Sequence, residues 1–178
     1  MKITLNKYQT LMSAALELGN ITVSGPCGTG KTYFAAHWAA EKVKQYKDCP
    51  GGGADLVLHT ETLANSKIGI LGYLEEALNL RLHPTKARCG SYLEIGNVTI
   101  HLINHLVSKD QMEALGPRVR PVFFVQDGVS GCGAYEDLPA GYHGIRIAKS
   151  IVGGKLCQEF RLDIHPVDGA VLPKHNQL

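Results

Sequence analysis

One segment constrains the fold more than any other part of the chain: residues 21–34, which read ITVSGPCGTGKTYF. It matches the pattern G-x-x-x-x-G-K-[S/T] at Gly25, Gly30, Lys31 and Thr32. Glycines permit unusual backbone angles and leave room for phosphate oxygens. Successive amide N–H groups then surround the anion, and the positive end of the following helix adds to the attraction. The segment therefore predicts a phosphate-binding loop, the P-loop, between a strand and a helix.

The residue types of this loop indicate a nucleoside triphosphate as the ligand. Lys31 is expected to reach the β- and γ-phosphates, and the Thr32 hydroxyl is expected to bind magnesium. ATP and Mg²⁺ are the predicted ligands. The predicted nucleotide contacts are Gly25, Pro26, Cys27, Gly28, Thr29, Gly30, Lys31, Thr32 and Tyr33. A chance glycine-rich turn is the alternative, but a β-prone run before the loop and a helical pattern after it favour the P-loop.

The rest of the chain alternates between strand and helix patterns. Strands are predicted at 21–24, 54–59, 97–103, 122–125 and 160–164. Helices are predicted from Asn6 to about Leu18, from Lys31 through Val43, and over 72–80, 109–115 and 145–152. This alternation predicts an α/β fold: a three-layer α/β/α sandwich with a mainly parallel sheet. We expect one domain to span residues 1–178.

Composition limits the possible function classes. Apolar residues form 44% of the chain and charged residues 19%, as in ordinary globular domains. The formal charge of +2 does not by itself argue for a nucleic-acid partner. The five cysteines form no C-x-x-C pair, so neither a zinc site nor a disulfide framework is expected. No apolar run is long enough to span a membrane, and MKITLNKYQ has no apolar signal region, so a cytoplasmic protein is expected.

Several segments in a shared order resemble the PhoH-like P-loop ATPases. GPCGTGKTYFAA is similar to that family's GPAGTGKTYLA, and VFFVQD at 122–127 is similar to its VVVTGD. Weaker similarities occur at 67–77, 108–115, 135–152 and 163–166. The resemblance implies a RecA-like core, possible ring-shaped homo-oligomers, and ATP hydrolysis coupled to RNA or single-stranded DNA. It also implies an upstream glutamine that reads adenine, and Gln9 stands where that residue is expected; an exposed helix residue is the alternative.

The chain departs from this family where catalysis needs acids. The family carries Asp-Glu after its third strand, and the stretch that corresponds here is Leu102, Ile103, Asn104, His105 and Leu106, with no carboxylate. Asp127 is then the candidate to reach the γ-phosphate region through water or magnesium; a turn aspartate before Gly128 is the alternative. His105 is a partial substitute for the missing acid, and a core or loop histidine is the favoured alternative. With Lys31, Asp127 forms the predicted catalytic pair.

Two function classes remain open from the sequence. The first is a PhoH-like ATPase acting on RNA or single-stranded DNA. The second is a nucleotide-binding module, regulatory or structural, with little or no hydrolysis. The P-loop supports both equally, the family resemblance favours the first, and the missing acidic pair favours the second. If hydrolysis occurs without the pair, Asp127, Asp110, Glu136 or Asp137 must supply the carboxylate. The densest basic stretches, 42–47 and 81–88, are the candidate nucleic-acid contacts.

Overall fold

A computed structural model of the chain describes residues 4–60, 69–87, 90–104, 120–129, 142–152 and 154–165. Its helices are α1 (Lys7–Leu16), α2 (Lys31–Tyr46) and α3 (Ile70–Leu78). Its strands are β1 (Asn20–Ser24), β2 (Ala54–Thr60), β3 (Thr85–Ala87), β4 (Gly90–Ile95), β5 (Val98–Asn104), β6 (Val122–Val129), β7 (Tyr142–Ala148), β8 (Ile151–Val152), β9 (Lys155–Leu156) and β10 (Arg161–His165). None of the described helices is long and apolar enough to cross a membrane.

Eight of these strands form one sheet in the order β10-β1-β7-β6-β2-β5-β4-β3. The five central strands, β1, β7, β6, β2 and β5, are parallel to one another. Strands β10, β4 and β3 are antiparallel additions at the two edges. The expected α/β fold with a mainly parallel sheet is therefore confirmed. That one domain covers the whole of 1–178 remains a prediction.

The described helices share one hydrophobic cluster with one face of the sheet. Met12 of α1, Phe34 and Val43 of α2, and Leu74 of α3 join it, together with inward-facing strand residues such as Ile145. The opposite face carries a second, smaller cluster of Val57, Ile103, Val122, Phe124 and Tyr142. Strands buried on both faces explain why the central segments read as nearly continuous apolar runs.

Helix α1 begins at a capping box. The Asn6 side chain accepts hydrogen bonds from the backbone N–H groups of Tyr8 and Gln9, and the Gln9 side chain accepts one from the Asn6 N–H. This arrangement satisfies N–H groups that a helix start otherwise leaves without partners. The cap predicted at Asn6 is confirmed. The helix ends at Leu16, two residues before the expected end.

The prediction of a helix over 145–152 was wrong. Residues 142–148 form β7, a parallel strand between β1 and β6, and residues 151–152 form β8. Ile145 and Ile147 alternate with Arg146, which is the two-residue period of a strand. Gly144 makes the close fit possible, since a Cβ at that position would lie 1.9 Å from the Phe124 carbonyl oxygen. The hairpin of β3 and β4 was not predicted, and the helix expected over 109–115 lies outside the described residues.

Candidate nucleotide-binding site

The P-loop connects the C-terminal end of β1 to the start of α2, as the sequence indicates. Gly28 and Gly30 have φ angles of +79° and +78°, in the left-handed region that side chains with a Cβ disfavour. Gly30 also occupies the N-cap position of α2. A Cβ there would lie 2.6 Å from Nε2 of Gln9. The backbone angle therefore favours glycine at position 30, and a side chain there would also displace the Gln9 amide.

The Lys31 side chain lies within the loop. Its ammonium donates hydrogen bonds to the carbonyl oxygens of Gly25 (3.0 Å) and Pro26 (2.7 Å) and to the hydroxyl of Thr29 (2.9 Å). The residue is only 6% exposed. Burial lowers the pKa of Lys31, and the nearby acidic groups of Cys27, Asp127 and Cys157 partly oppose that shift. The loop thus holds a cation at its centre by acceptors that phosphate oxygens are able to replace.

Asp127 lies at the C-terminal end of β6, and its carboxylate contacts the Thr32 side chain. Burial raises the pKa of Asp127, while the Thr32 side chain, the Lys31 charge and the Gly128 N–H act in the opposite direction. Strand β7 separates β6 from the P-loop strand β1, and all three strands are parallel. Their C-terminal ends therefore meet at one edge of the sheet, which brings Asp127 to the first turn of α2.

This strand order corrects the expected position of the acidic motif. In the family resemblance the stretch from Leu102 corresponds to Asp-Glu, but this stretch ends β5, which lies beyond β2 and is not adjacent to β6. Leu102 and Ile103 are buried among apolar residues there. Among the described residues, Asp127 is the carboxylate whose charge acts on Lys31. His105, Leu106, Asp110, Glu136 and Asp137 lie outside the described residues.

Gln9 contacts the P-loop directly. Its Nε2 donates to the Gly30 carbonyl oxygen at 3.2 Å, and its Oε1 accepts from the Asn6 N–H at 3.0 Å. Asn6 in turn donates from its side chain to the Thr29 carbonyl oxygen at 3.3 Å. Gln9 is 5% exposed, so it is not the exposed helix residue considered as the alternative. The start of α1 therefore braces the P-loop at two consecutive carbonyl groups.

A pocket of about 520 Å³ opens beside this loop. P-loop residues and Asp127 line one part of it. The end of β7 (Ile147 and Ala148) and the two residues that follow it (Lys149 and Ser150) line another. Tyr33 of α2 and Tyr73 of α3 form an aromatic wall. The volume of the pocket falls within the range of about 300–1,000 Å³ that is usual for small-molecule sites. Tyr73 and the end of β7 were not predicted; only the tertiary structure brings them to the loop.

The first candidate basic stretch, residues 42–47, is already engaged within the protein. The Lys42 ammonium lies 5.7 Å from the ring centroid of Trp38 and 5.2 Å from that of Phe123. Lys44 pairs with Glu41 at 2.9 Å, and Lys47 lies 3.7 Å from Asp48. In the second stretch, Arg81 is 87% exposed at the side chain and lies 3.8 Å from Glu75. The first stretch is therefore the weaker candidate for phosphate contacts.

The sheet order, the P-loop and the Thr32–Asp127 contact together define a P-loop nucleotide-binding fold. No protein-family model and no curated protein matches the sequence. Among solved structures, the chain is similar to the large terminase from a thermophilic bacteriophage. The identity is 13%, the TM-score is 0.49, and the match covers 82% of this chain but only 39% of the terminase chain.

Proposed function

We propose that this protein binds ATP together with Mg²⁺ at the P-loop, through residues 25–33. The contact between Thr32 and Asp127 supports the proposal most strongly. Magnesium in nucleotide sites prefers oxygen ligands, usually one or two carboxylates together with phosphate oxygens. A hydroxyl and a carboxylate already in contact beside the Lys31 ammonium fit that requirement. When bound, the ion would neutralise charge on the phosphates, and Lys31 would hold the β- and γ-phosphates.

Calorimetric titration with ATP tests this proposal in the presence and absence of Mg²⁺. Lys31→Ala removes the cation at the centre of the loop, and hydrogen bonds to charged groups contribute about 1.5–3 kcal/mol. We therefore expect a loss of affinity of about 10-fold to 150-fold. Lys44→Ala is the matched control, because Lys44 lies on the exposed side of the same helix. Equal affinity of the wild type and the Lys31→Ala variant would refute the proposal.

For ATP hydrolysis coupled to a nucleic acid, the proposal rests on the resemblance to the PhoH-like family. As a PhoH-like ATPase, the protein would hydrolyse ATP in response to RNA or single-stranded DNA and assemble into homo-oligomers. Arg81 is a suitable exposed cation for such a polymer, since phosphate contacts supply most nucleic-acid affinity. Phosphate release measured with and without a single-stranded oligonucleotide tests this activity. Stimulation that is lost at high salt supports the coupling, and identical rates with and without the oligonucleotide contradict it.

A second candidate function is a nucleotide-binding module that hydrolyses ATP slowly. The observation in its favour is Gly128, which follows Asp127 where a second acid would be able to activate water. Among the described residues that line the pocket, Asp127 is the single carboxylate. Loss of a positioned general base typically lowers a rate about 100-fold to 10,000-fold. Turnover within the usual range of about 1–100 per second would contradict this candidate. The variants Asp110→Asn, Glu136→Gln and Asp137→Asn would then identify the base.

A further inference from the structure

We propose that Tyr33 and Tyr73 form the base-binding wall of the site and stack against the nucleobase of the bound nucleoside triphosphate. This inference rests on the proposed function, because it assigns a second part of the same pocket. Nothing in the P-loop motif identifies where the base lies. The two rings come from different helices, one directly after the phosphate-binding residues and the other on α3.

The position of Tyr33 links the two parts of the pocket. Tyr33 follows Thr32 in the first turn of α2, where backbone N–H groups have no partner within the helix. Phosphates bound at the helix start therefore lie alongside the backbone of Tyr33. The side chain of the same residue lines the pocket. A nucleoside attached to those phosphates consequently reaches the aromatic wall without leaving the pocket.

The ring geometry suits stacking. The ring centroids of Tyr33 and Tyr73 lie 5.3 Å apart with an interplanar angle of 78°, an edge-to-face pair. Tyr33 also contacts His37, with centroids 4.3 Å apart and an interplanar angle of 47°. These neighbours fix the ring orientations, because such pairs have preferred geometries. Both tyrosines are nevertheless half-buried and line the pocket, so part of each ring remains accessible to a ligand.

Stacking has a distinct consequence for selectivity. Every base has a flat π-face, so an aromatic wall stabilises bases with little discrimination, at about 1–3 kcal/mol for each stacked base. The wall would therefore separate nucleotides from inorganic polyphosphate rather than ATP from GTP. Gln9, which is expected to read adenine, is not among the described residues that line this pocket. Stacking by the tyrosines and recognition of the adenine edge by Gln9 are thus separable in an experiment.

The test compares Mg²⁺-dependent binding of ATP, GTP and inorganic tripolyphosphate by calorimetry. We expect the wild type to bind both nucleotides more tightly than tripolyphosphate by about 5-fold to 150-fold. Tyr73→Leu should lower the affinity for ATP and GTP by at least about fivefold and leave the affinity for tripolyphosphate unchanged. Tyr73→Phe, which keeps the ring, should retain the preference for nucleotides over tripolyphosphate. Tyr92→Leu is the control, because Tyr92 is exposed on β4 near the far edge of the sheet.

Each remaining outcome decides against the inference. If Tyr73→Leu and Tyr33→Leu both keep the full preference for nucleotides, the wall does not bind the base. If they weaken tripolyphosphate as much as ATP, the rings only support the loop. If they weaken a single-stranded oligonucleotide and not ATP, the wall serves a polymer. If the wild type binds neither ATP nor tripolyphosphate, the proposed function itself fails. Circular dichroism melting of each variant verifies folding.

Discussion

The side chain of Thr32, in the first turn of α2, contacts the carboxylate of Asp127 at the end of β6. Both residues are buried or half-buried, and the Lys31 ammonium lies close enough to act on the Asp127 charge. A hydroxyl, a carboxylate and a cation thus meet at the mouth of a phosphate-binding loop. This combination matches the parts by which P-loop proteins hold magnesium and the β- and γ-phosphates.

Replacing Asp127 with Asn should weaken ATP binding only when Mg²⁺ is present. The amide keeps the size of the side chain but loses the charge that attracts the ion. Loss of one contact between a charged side chain and its ligand typically lowers the affinity about 10-fold to 150-fold. Without Mg²⁺ the carboxylate repels the triphosphate, so the variant should bind ATP at least as tightly as the wild type. An equal loss in both conditions would show that Asp127 does not act through the metal.

The same variant should unfold less readily than the wild type at neutral pH. Burial raises the pKa of Asp127 above its ordinary value of 3.8, so the folded state disfavours the ionised carboxylate. The resulting penalty is complete above the raised pKa and disappears below 3.8, where the group is protonated in both states. Urea unfolding should therefore show a stability gain for Asp127→Asn at pH 7 that shrinks as the pH falls towards 3.8. A gain that is constant with pH would contradict this explanation.

Gln9→Ala should weaken the binding of ATP, GTP and tripolyphosphate together. The reason is that Gln9 braces the Gly30 carbonyl and completes the cap of α1, so its loss loosens the loop itself. Gln45→Ala, on the exposed side of α2, is the control. Adenine reading by Gln9 remains a separate prediction, measured as an additional loss for ATP over GTP. Unchanged tripolyphosphate affinity would exclude the bracing role.

His143 should make the protein sensitive to mild acid. Burial against Trp38 and Phe123, together with the Lys42 charge, lowers the pKa of His143 from 6.5 to about 4, although Glu17 acts in the opposite direction. Between these two pKa values His143 is therefore protonated in the unfolded chain and neutral in the folded protein. Stability should be complete above pH 6.5 and should fall as the pH drops towards 4.

The measurement for His143 is the difference in unfolding free energy between the wild type and His143→Phe at several pH values. The variant should lose less stability than the wild type as the pH falls from above 6.5 towards 4. His83→Phe provides the control, because His83 is exposed. Parallel stability curves for the wild type and His143→Phe would mean that another group causes the acid sensitivity.

The sequence by itself determined the loop and most of the strands around it. Gly25, Gly30, Lys31 and Thr32 form a local pattern, and a phosphate loop needs only neighbouring backbone N–H groups. The cap at Asn6 and the helix beginning at Lys31 depend on equally local signals. Strands at 54–59 and 122–125 were recognisable because each contains a short apolar run, and the structure confirms both within one sheet.

Only the tertiary structure brought Asp127 beside Thr32 and brought Tyr73 to the pocket. The end of β6 lies where it does because β7 is inserted between β6 and β1. The order of strands in a sheet is not encoded in the sequence of any single strand. Local patterns also misread 145–152, because its apolar residues from Ile147 to Val152 have helical spacing, whereas Ile145 and Ile147 alternate as in a strand. Tyr73 reaches the pocket through the packing of α3 on α2, a contact between distant segments. Side-chain type is encoded locally, whereas the meeting of side chains from different elements is fixed only when the whole sheet and its helices pack together.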